Sequence, residues 1–187
     1  MMFSLPNTLT WARIVLIPLV VGVFYLPLPL DEQNLIATIA FVVAAVTDWF
    51  DGWLARKLGQ TSAFGAFLDP VADKLMVAAA LLMLVQLART DAVVAIIIIG
   101  REIAISALRE WMAHIGAAKS VAVSFIGKLK TTAQMIAIPM LLYYDPLFGL
   151  PIAGMGEALI WFAAALTLWS MGYYLGKAWP EIRSRGF

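Results

Sequence analysis

The sequence contains no cysteine, one histidine and few charged residues. The absence of cysteine excludes disulfide bonds, zinc–thiolate sites and a cysteine nucleophile. Charged residues occupy 13% of the 187 positions, whereas soluble domains average about 25%. The net charge is only +1, so no electrostatic surface for nucleic acid is expected, and we predict no nucleic-acid partner.

Apolar residues are abundant instead. They make up 63% of the chain, against about 45–50% in soluble domains. A membrane-spanning helix needs roughly 20 predominantly apolar residues. We therefore predict an all-α polytopic membrane protein, a single domain over residues 1–187, with six transmembrane helices at 8–26, 34–57, 63–88, 91–114, 122–144 and 154–179.

The distribution of basic residues predicts the orientation of these helices. With the N-terminus inside, all thirteen lysines and arginines except Arg89 lie on the inner side or in the inner half of a helix. Acidic residues accompany Arg89 outside. Because cytoplasmic loops are enriched in basic residues, we predict that both termini are cytoplasmic.

Aspartates at the inner ends of the second and third predicted helices form the first candidate site. Charged residues in spanning helices are costly and tend to mark functional sites. Asp48 and Asp51 share one helix face, and Asp69 and Asp73, four positions apart, share another. The short loop between these helices makes them antiparallel neighbours, so the two acidic faces can converge.

Such a group of carboxylates needs a compensating positive charge. Oxygen ligands without histidine or cysteine favour Mg²⁺, Mn²⁺ or Ca²⁺, and two ions would chelate a diphosphate in a phosphoryl displacement. Gly52 and Gly65 would let a substrate approach the backbone, and Arg56 would bind a phosphate. Alternatively, the aspartates cap helices or pair with arginine and lysine.

The spacing of these residues resembles the signature of the CDP-alcohol phosphotransferase family. Asp48, Asp51-Gly52, Ala55-Arg56, Gly65, Asp69 and Asp73 agree with it at every fixed position and gap. Residues 6–14, 101–113 and 123–135 resemble the members of that family that use glycerol 3-phosphate as acceptor.

The resemblance implies an enzyme, usually a homodimer, of the bacterial inner membrane, with its active site facing the cytoplasm. It would transfer the phosphatidyl group of CDP-diacylglycerol to glycerol 3-phosphate among the membrane lipids. The four aspartates would bind Mg²⁺ or Mn²⁺, as two ions, and Asp73 would also be the general base. Gly52, Arg56 and Gly65 would hold the CDP group.

The acceptor that the resemblance implies is a dianion without a lipid tail, so it needs fixed cations. Arg109 and Lys128 are predicted to bind its phosphate, with Arg101 and Lys130 in support. Alternatively, Arg101 pairs with Glu102 or an aspartate, and the two lysines are surface bases near lipid headgroups.

Polar residues near the N-terminus allow two interpretations. Asn7, Thr10 and Arg13 share a helix face and together could line the nucleotide site, where we predict Asn7 and Thr10 as CDP-binding residues. Alternatively, Asn7 caps the helix and Arg13 extends to the lipid headgroups.

Other functions compete with glycerol-phosphate transfer. The same chemistry with serine, inositol phosphate or another alcohol is one, although the basic residues favour a phosphorylated acceptor over serine. A divalent-cation transporter is another, but transport sites usually lie near the bilayer midplane, whereas these aspartates lie toward one membrane face. A non-catalytic lipid-binding scaffold would not need the aspartates so arranged.

Overall fold

The computed structural model describes residues 5–58, 63–116 and 125–184. They form the helices α1 (Leu5–Gly22), α2 (Leu30–Leu58), α3 (Ala63–Gln86), α4 (Ala92–His114), α5 (Phe125–Tyr143) and α6 (Ile152–Ser184). Within these helices, the side chains at 5–10, 12, 49, 51–56, 58, 63–67, 125, 181, 182 and 184 are outside the description. The all-α prediction is confirmed over the described residues.

The helix ends follow local chemistry and differ from the prediction by a few residues. α2 begins at Leu30 rather than at position 34, because a proline blocks a helix interior but is tolerated where a helix begins. The carbonyl oxygen of Pro29 accepts the amide of Gln33 at 3.0 Å. The prolines of this connection therefore mark the start of α2 rather than a longer break.

Two stretches of the described chain are long and apolar enough to cross a membrane by themselves. These are Leu30–Asp48 in α2 and Ile152–Pro180 in α6. Large apolar side chains are also exposed on other helices, for example Val15 on α1 and Ile96 on α4, each 70% exposed. Such an exposed apolar surface is unusual for a soluble protein and typical of one that contacts lipid.

Two apolar clusters hold the bundle together. The larger one joins α1, α2, α3, α5 and parts of α4 and α6, and includes Phe41, Leu81 and Leu141. The smaller one lies between α4 and α6 around Met112 and Tyr174. Because α4 packs against α3 and α6, and α5 packs against α2 and α6, polar residues on α2, α3, α4 and α5 can face a common interior.

The buried guanidinium of Arg89 connects α2 and α5 at one end of the bundle. Arg89, between α3 and α4, donates from Nη1 to the carbonyl oxygens of Leu141 at 3.2 Å and Leu142 at 2.8 Å, and from Nη2 to Oδ1 of Asn34 at 2.7 Å. These bonds satisfy carbonyl groups that the end of α5 leaves open. Burial lowers the pKa of Arg89, whereas nearby Tyr144 opposes that shift. The guanidinium stays protonated, because arginine does not lose its proton in proteins.

Candidate active site

Three charged side chains meet at the other end, where α1, α2 and α3 come together. Arg13 is 1% exposed, and its Nη1 lies 2.8 Å from Oδ1 of Asp48 and 2.6 Å from Oδ1 of Asp73. A single nitrogen atom therefore contacts both carboxylates, so they are adjacent. Asp48 lies 14 positions after Asn34 on α2, which separates this site from the Arg89 end by about 21 Å.

A cavity of about 260 Å³ opens beside this ion pair. Its lining includes the acidic side chains of Asp48, Asp73 and Glu102, together with Lys74. The remaining lining residues are Pro70, Val77, Thr131, Gln134 and Met135. The cavity thus joins the aspartates of α2 and α3 to polar residues of α4 and α5, and we name it the acid cavity.

Of the other two predicted metal ligands, the structure describes the side chain of Asp69 but not that of Asp51. Asp69 lies one helical turn before Asp73, near enough for their charges to interact. The side chains of the predicted metal ligand Asp51 and of the predicted CDP-binding residues lie outside the description; the latter are Asn7, Thr10, Gly52, Arg56 and Gly65.

The described side chains contain no group of three or more aspartates, glutamates, histidines or cysteines that could hold a metal ion. Asp48 and Asp73 nevertheless fit a hard cation. Their ligand atoms are oxygens, they face a cavity, and they already share the positive charge of Arg13.

Arg101 and Lys130 gather around Glu102, which lines the acid cavity, and with Arg109 we name them the basic cluster. Oε1 of Glu102 accepts hydrogen bonds from Nη1 of Arg101 at 3.1 Å and from Nζ of Lys130. Arg101 also donates from Nη2 to Oγ of Ser170 on α6 at 3.4 Å. The alternative in which Arg101 pairs with Glu102 is confirmed. The alternative in which Lys130 is a surface base is wrong, because Lys130 is 1% exposed.

Tyr174 of α6 connects Arg109 to the other members of the basic cluster. The centroid of its buried ring lies 5.7 Å from the guanidinium carbon of Arg101 and 5.1 Å from that of Arg109. Both distances are typical of cation–π contacts. Arg101 and Arg109 both lie near enough to Lys130 for their charges to interact. Three predicted acceptor-binding cations therefore gather at one place, whereas the fourth, Lys128, is exposed on another face of α5.

Comparison with known proteins identifies the family. The family model for CDP-alcohol phosphatidyltransferase matches residues 3–169. The chain belongs to this family. It is 52% identical over 184 residues to the CDP-diacylglycerol–glycerol-3-phosphate 3-phosphatidyltransferase of Escherichia coli (strain K12), which covers 97% of this chain and 98% of that protein.

Two further relatives of the same name come from other bacteria. The protein from Shigella flexneri serotype 5b is 51% identical over 184 residues, covering 97% of this chain and 98% of its own. The protein from Pectobacterium atrosepticum is 52% identical over 180 residues, covering 95% and 96%.

Sequence reasoning left Arg13 between two interpretations and missed other polar residues of this CDP-alcohol phosphatidyltransferase. Arg13 was expected at the headgroups or the nucleotide site, and the headgroup interpretation is wrong because its side chain is buried between two aspartates. Tyr174 and Ser170 lie in the apolar helix α6, and nothing in the sequence except their polarity indicated that they contact the arginines. Gln134 lies four residues after Lys130, and that spacing on one helix face could have placed it beside the basic cluster.

Proposed function

We propose that this chain is a CDP-diacylglycerol–glycerol-3-phosphate 3-phosphatidyltransferase that acts at the cytoplasmic face of the bacterial inner membrane. Relatives with that name match it over nearly their whole length. The observation that carries the proposal is the acid cavity. It is lined by adjacent carboxylates, which suit a metal–diphosphate, and by Glu102, which binds buried cations that suit a phosphorylated acceptor.

The reaction is a displacement at phosphorus. A hydroxyl oxygen of glycerol 3-phosphate attacks the phosphorus that carries diacylglycerol and forms the new P–O bond. The P–O bond to CMP breaks, and CMP leaves with the electron pair. The hydroxyl proton goes to a carboxylate oxygen of Asp73, which we propose as the general base because it faces the acid cavity.

Asp48, Asp51, Asp69 and Asp73 would together bind two divalent ions, either Mg²⁺ or Mn²⁺. When bound, these ions would neutralise the charge of the diphosphate. Arg13 orients Asp48 and Asp73 toward the same point through its shared nitrogen. Much of the rate enhancement would then come from positioning and from fixed charges at the reacting phosphorus.

The nucleotide and the acceptor would occupy opposite parts of this site. We assign the CDP group to residues of α1, α2 and α3 on the strength of the family signature, namely Asn7, Thr10, Gly52, Arg56 and Gly65. The acceptor phosphate belongs to the basic cluster, where the contacts of the described side chains place three cations, Arg101, Arg109 and Lys130, around the carboxylate of Glu102. An entering dianion would offset that excess positive charge, and exposed Lys128 would contact it on the way in.

We also propose one membrane domain over residues 1–187, with all six helices crossing the bilayer and both termini in the cytoplasm. Nearly all basic residues lie toward the end of the bundle that carries Asp73, as expected for the cytoplasmic side, and large apolar side chains are exposed on the helices. Both observations support this arrangement. A homodimer would cover part of that apolar surface with a second copy.

A transfer assay tests the function. Purified protein in detergent would receive CDP-diacylglycerol, labelled glycerol 3-phosphate and Mg²⁺, with CMP release followed. We expect metal-dependent turnover that EDTA abolishes, and a loss of about 100-fold or more in D69N. D91N is the matched control: Asp91 accepts the Val93 amide at 2.7 Å as the cap of α4, and asparagine caps a helix equally well.

Acceptor choice is tested in the same assay with serine and inositol phosphate. Faster transfer to either than to glycerol 3-phosphate would move the protein to another branch of the family. Metal flux into liposomes without any CMP release would contradict the enzymatic proposal and favour a transporter.

A further inference from the structure

The side chain of Gln134 is buried beside the acid cavity and is not fully bonded. Gln134 is 3% exposed and lines the cavity. Its Oε1 is buried and accepts no hydrogen bond within the described part of the chain. An amide oxygen without a donor is costly in a protein interior, and such an exception calls for a specific cause. A ligand that brings its own donor into the cavity would supply one.

The position of Gln134 says which part of a ligand it would contact. It lies four residues after Lys130 on α5, which is about 6 Å along the axis and on the same helix face. Lys130 belongs to the basic cluster through Glu102. The acid cavity that Gln134 lines is also lined by the Asp73 carboxylate. A molecule with its phosphate at Lys130 and its reacting hydroxyl at Asp73 would therefore pass Gln134.

Glycerol 3-phosphate has one group left for that position. Its phosphate and its reacting primary hydroxyl are joined by a three-carbon chain, and the middle carbon carries a secondary hydroxyl. That hydroxyl loses its water when the acceptor enters the cavity and needs a new hydrogen-bond acceptor. Building on the proposed function, we propose that Gln134 determines acceptor specificity, with Oε1 accepting the hydrogen bond of the secondary hydroxyl.

If this assignment is correct, kcat/KM depends on whether the acceptor carries the secondary hydroxyl. A site built to bond a hydroxyl discriminates strongly against an analogue that lacks it, because the buried polar group is then left unpaired. One such bond corresponds to about 10- to 100-fold in kcat/KM. The matching analogue is 3-hydroxypropyl phosphate, which keeps the phosphate and the primary hydroxyl at the same separation.

The experiment compares both acceptors with the full chain in detergent, with CDP-diacylglycerol and Mg²⁺ present. We expect the wild type to prefer glycerol 3-phosphate about 10-fold or more. Q134M keeps the side-chain length and removes the amide. It should reduce the preference to within about 3-fold, through slower use of glycerol 3-phosphate and little change with the analogue. Q86M is the matched control, because Gln86 bonds Tyr25 at 3.1 Å at the Arg89 end; it should keep the preference.

Each outcome decides the assignment. A wild type without preference, or a Q134M variant with the full preference, would overturn it. Should Q134M fail to fold, Gln134→Asn is measured instead, since it keeps an amide but places it one methylene too short; this variant too must lose the preference. Transfer to neither acceptor by the wild type would instead overturn the proposed function itself.

Discussion

Replacing Arg13 by methionine removes the buried positive charge that Asp48 and Asp73 share. The variant leaves two adjacent carboxylates without their common partner, which sat 2.8 and 2.6 Å from them. Removal of one partner from a buried ion pair costs about 3–5 kcal/mol. The carboxylates are 35% and 38% exposed, so solvent screens them, and we expect the lower end, about 3 kcal/mol. At about 2–4 °C per kcal/mol for a chain of this size, Tm should fall by about 6–12 °C.

A divalent cation should reverse much of this loss. In R13M the metal no longer competes with a guanidinium for Asp48 and meets no like charge beside it. We therefore expect Mn²⁺ to bind R13M about tenfold more tightly than the wild type and to raise its Tm more. The activity should still fall, because the two carboxylates are no longer held at one point.

Thermal unfolding followed by circular dichroism in detergent, with EDTA or MnCl₂, measures the first effect. Electron paramagnetic resonance of free Mn²⁺ measures the second. R183M is the matched control, because Arg183 is exposed near the end of α6, and its Tm should stay within about 1 °C of the wild type. An unchanged Tm for R13M without metal, or weaker Mn²⁺ binding by the folded variant, would refute the reasoning.

Three other substitutions test the rest of the bundle. E102Q removes the carboxylate that binds Arg101 and Lys130, and we expect a loss of about 1–3 kcal/mol of stability in thermal unfolding. The KM for glycerol 3-phosphate should fall, because an anion that competes for the cations is gone; an increased KM would contradict this. Y174L removes the ring beneath two arginines; KM for glycerol 3-phosphate should rise about 3- to 30-fold with KM for CDP-diacylglycerol unchanged, and equal changes in both would count against a role in the acceptor site. R89M should cost about 2–4 kcal/mol in thermal unfolding with normal kcat per folded molecule, and a kcat that falls with stability unchanged would be inconsistent with a structural role.

The sequence was sufficient to predict the helices and one part of the site. Apolar runs and their polar interruptions predicted six helices to within a few residues at most ends, because burial and proline act locally. Helical periodicity placed Asp69 and Asp73 on one face, and the short connection before α3 brought Asp73 next to Asp48. The spacing of these residues also identified the family, which the comparison confirms.

Partners from distant parts of the chain could not be predicted in the same way. Arg13 meets Asp73 across 60 positions, and Arg101 meets Ser170 across 69. Such pairs depend on how the helices are rotated and packed, which no local pattern encodes. Lys130 is an intermediate case, because the sequence analysis predicted it as a supporting ligand of the acceptor phosphate but not that it would be buried against Glu102.

The position of the bound metal tests the central claim most directly. Crystals of the protein grown with MnCl₂ and CDP would be measured at the manganese absorption edge. We predict an anomalous peak within about 2.5 Å of a carboxylate oxygen of Asp48, between α2 and α3 and beside the acid cavity. Manganese bound at another place, with none at these aspartates, would contradict the account.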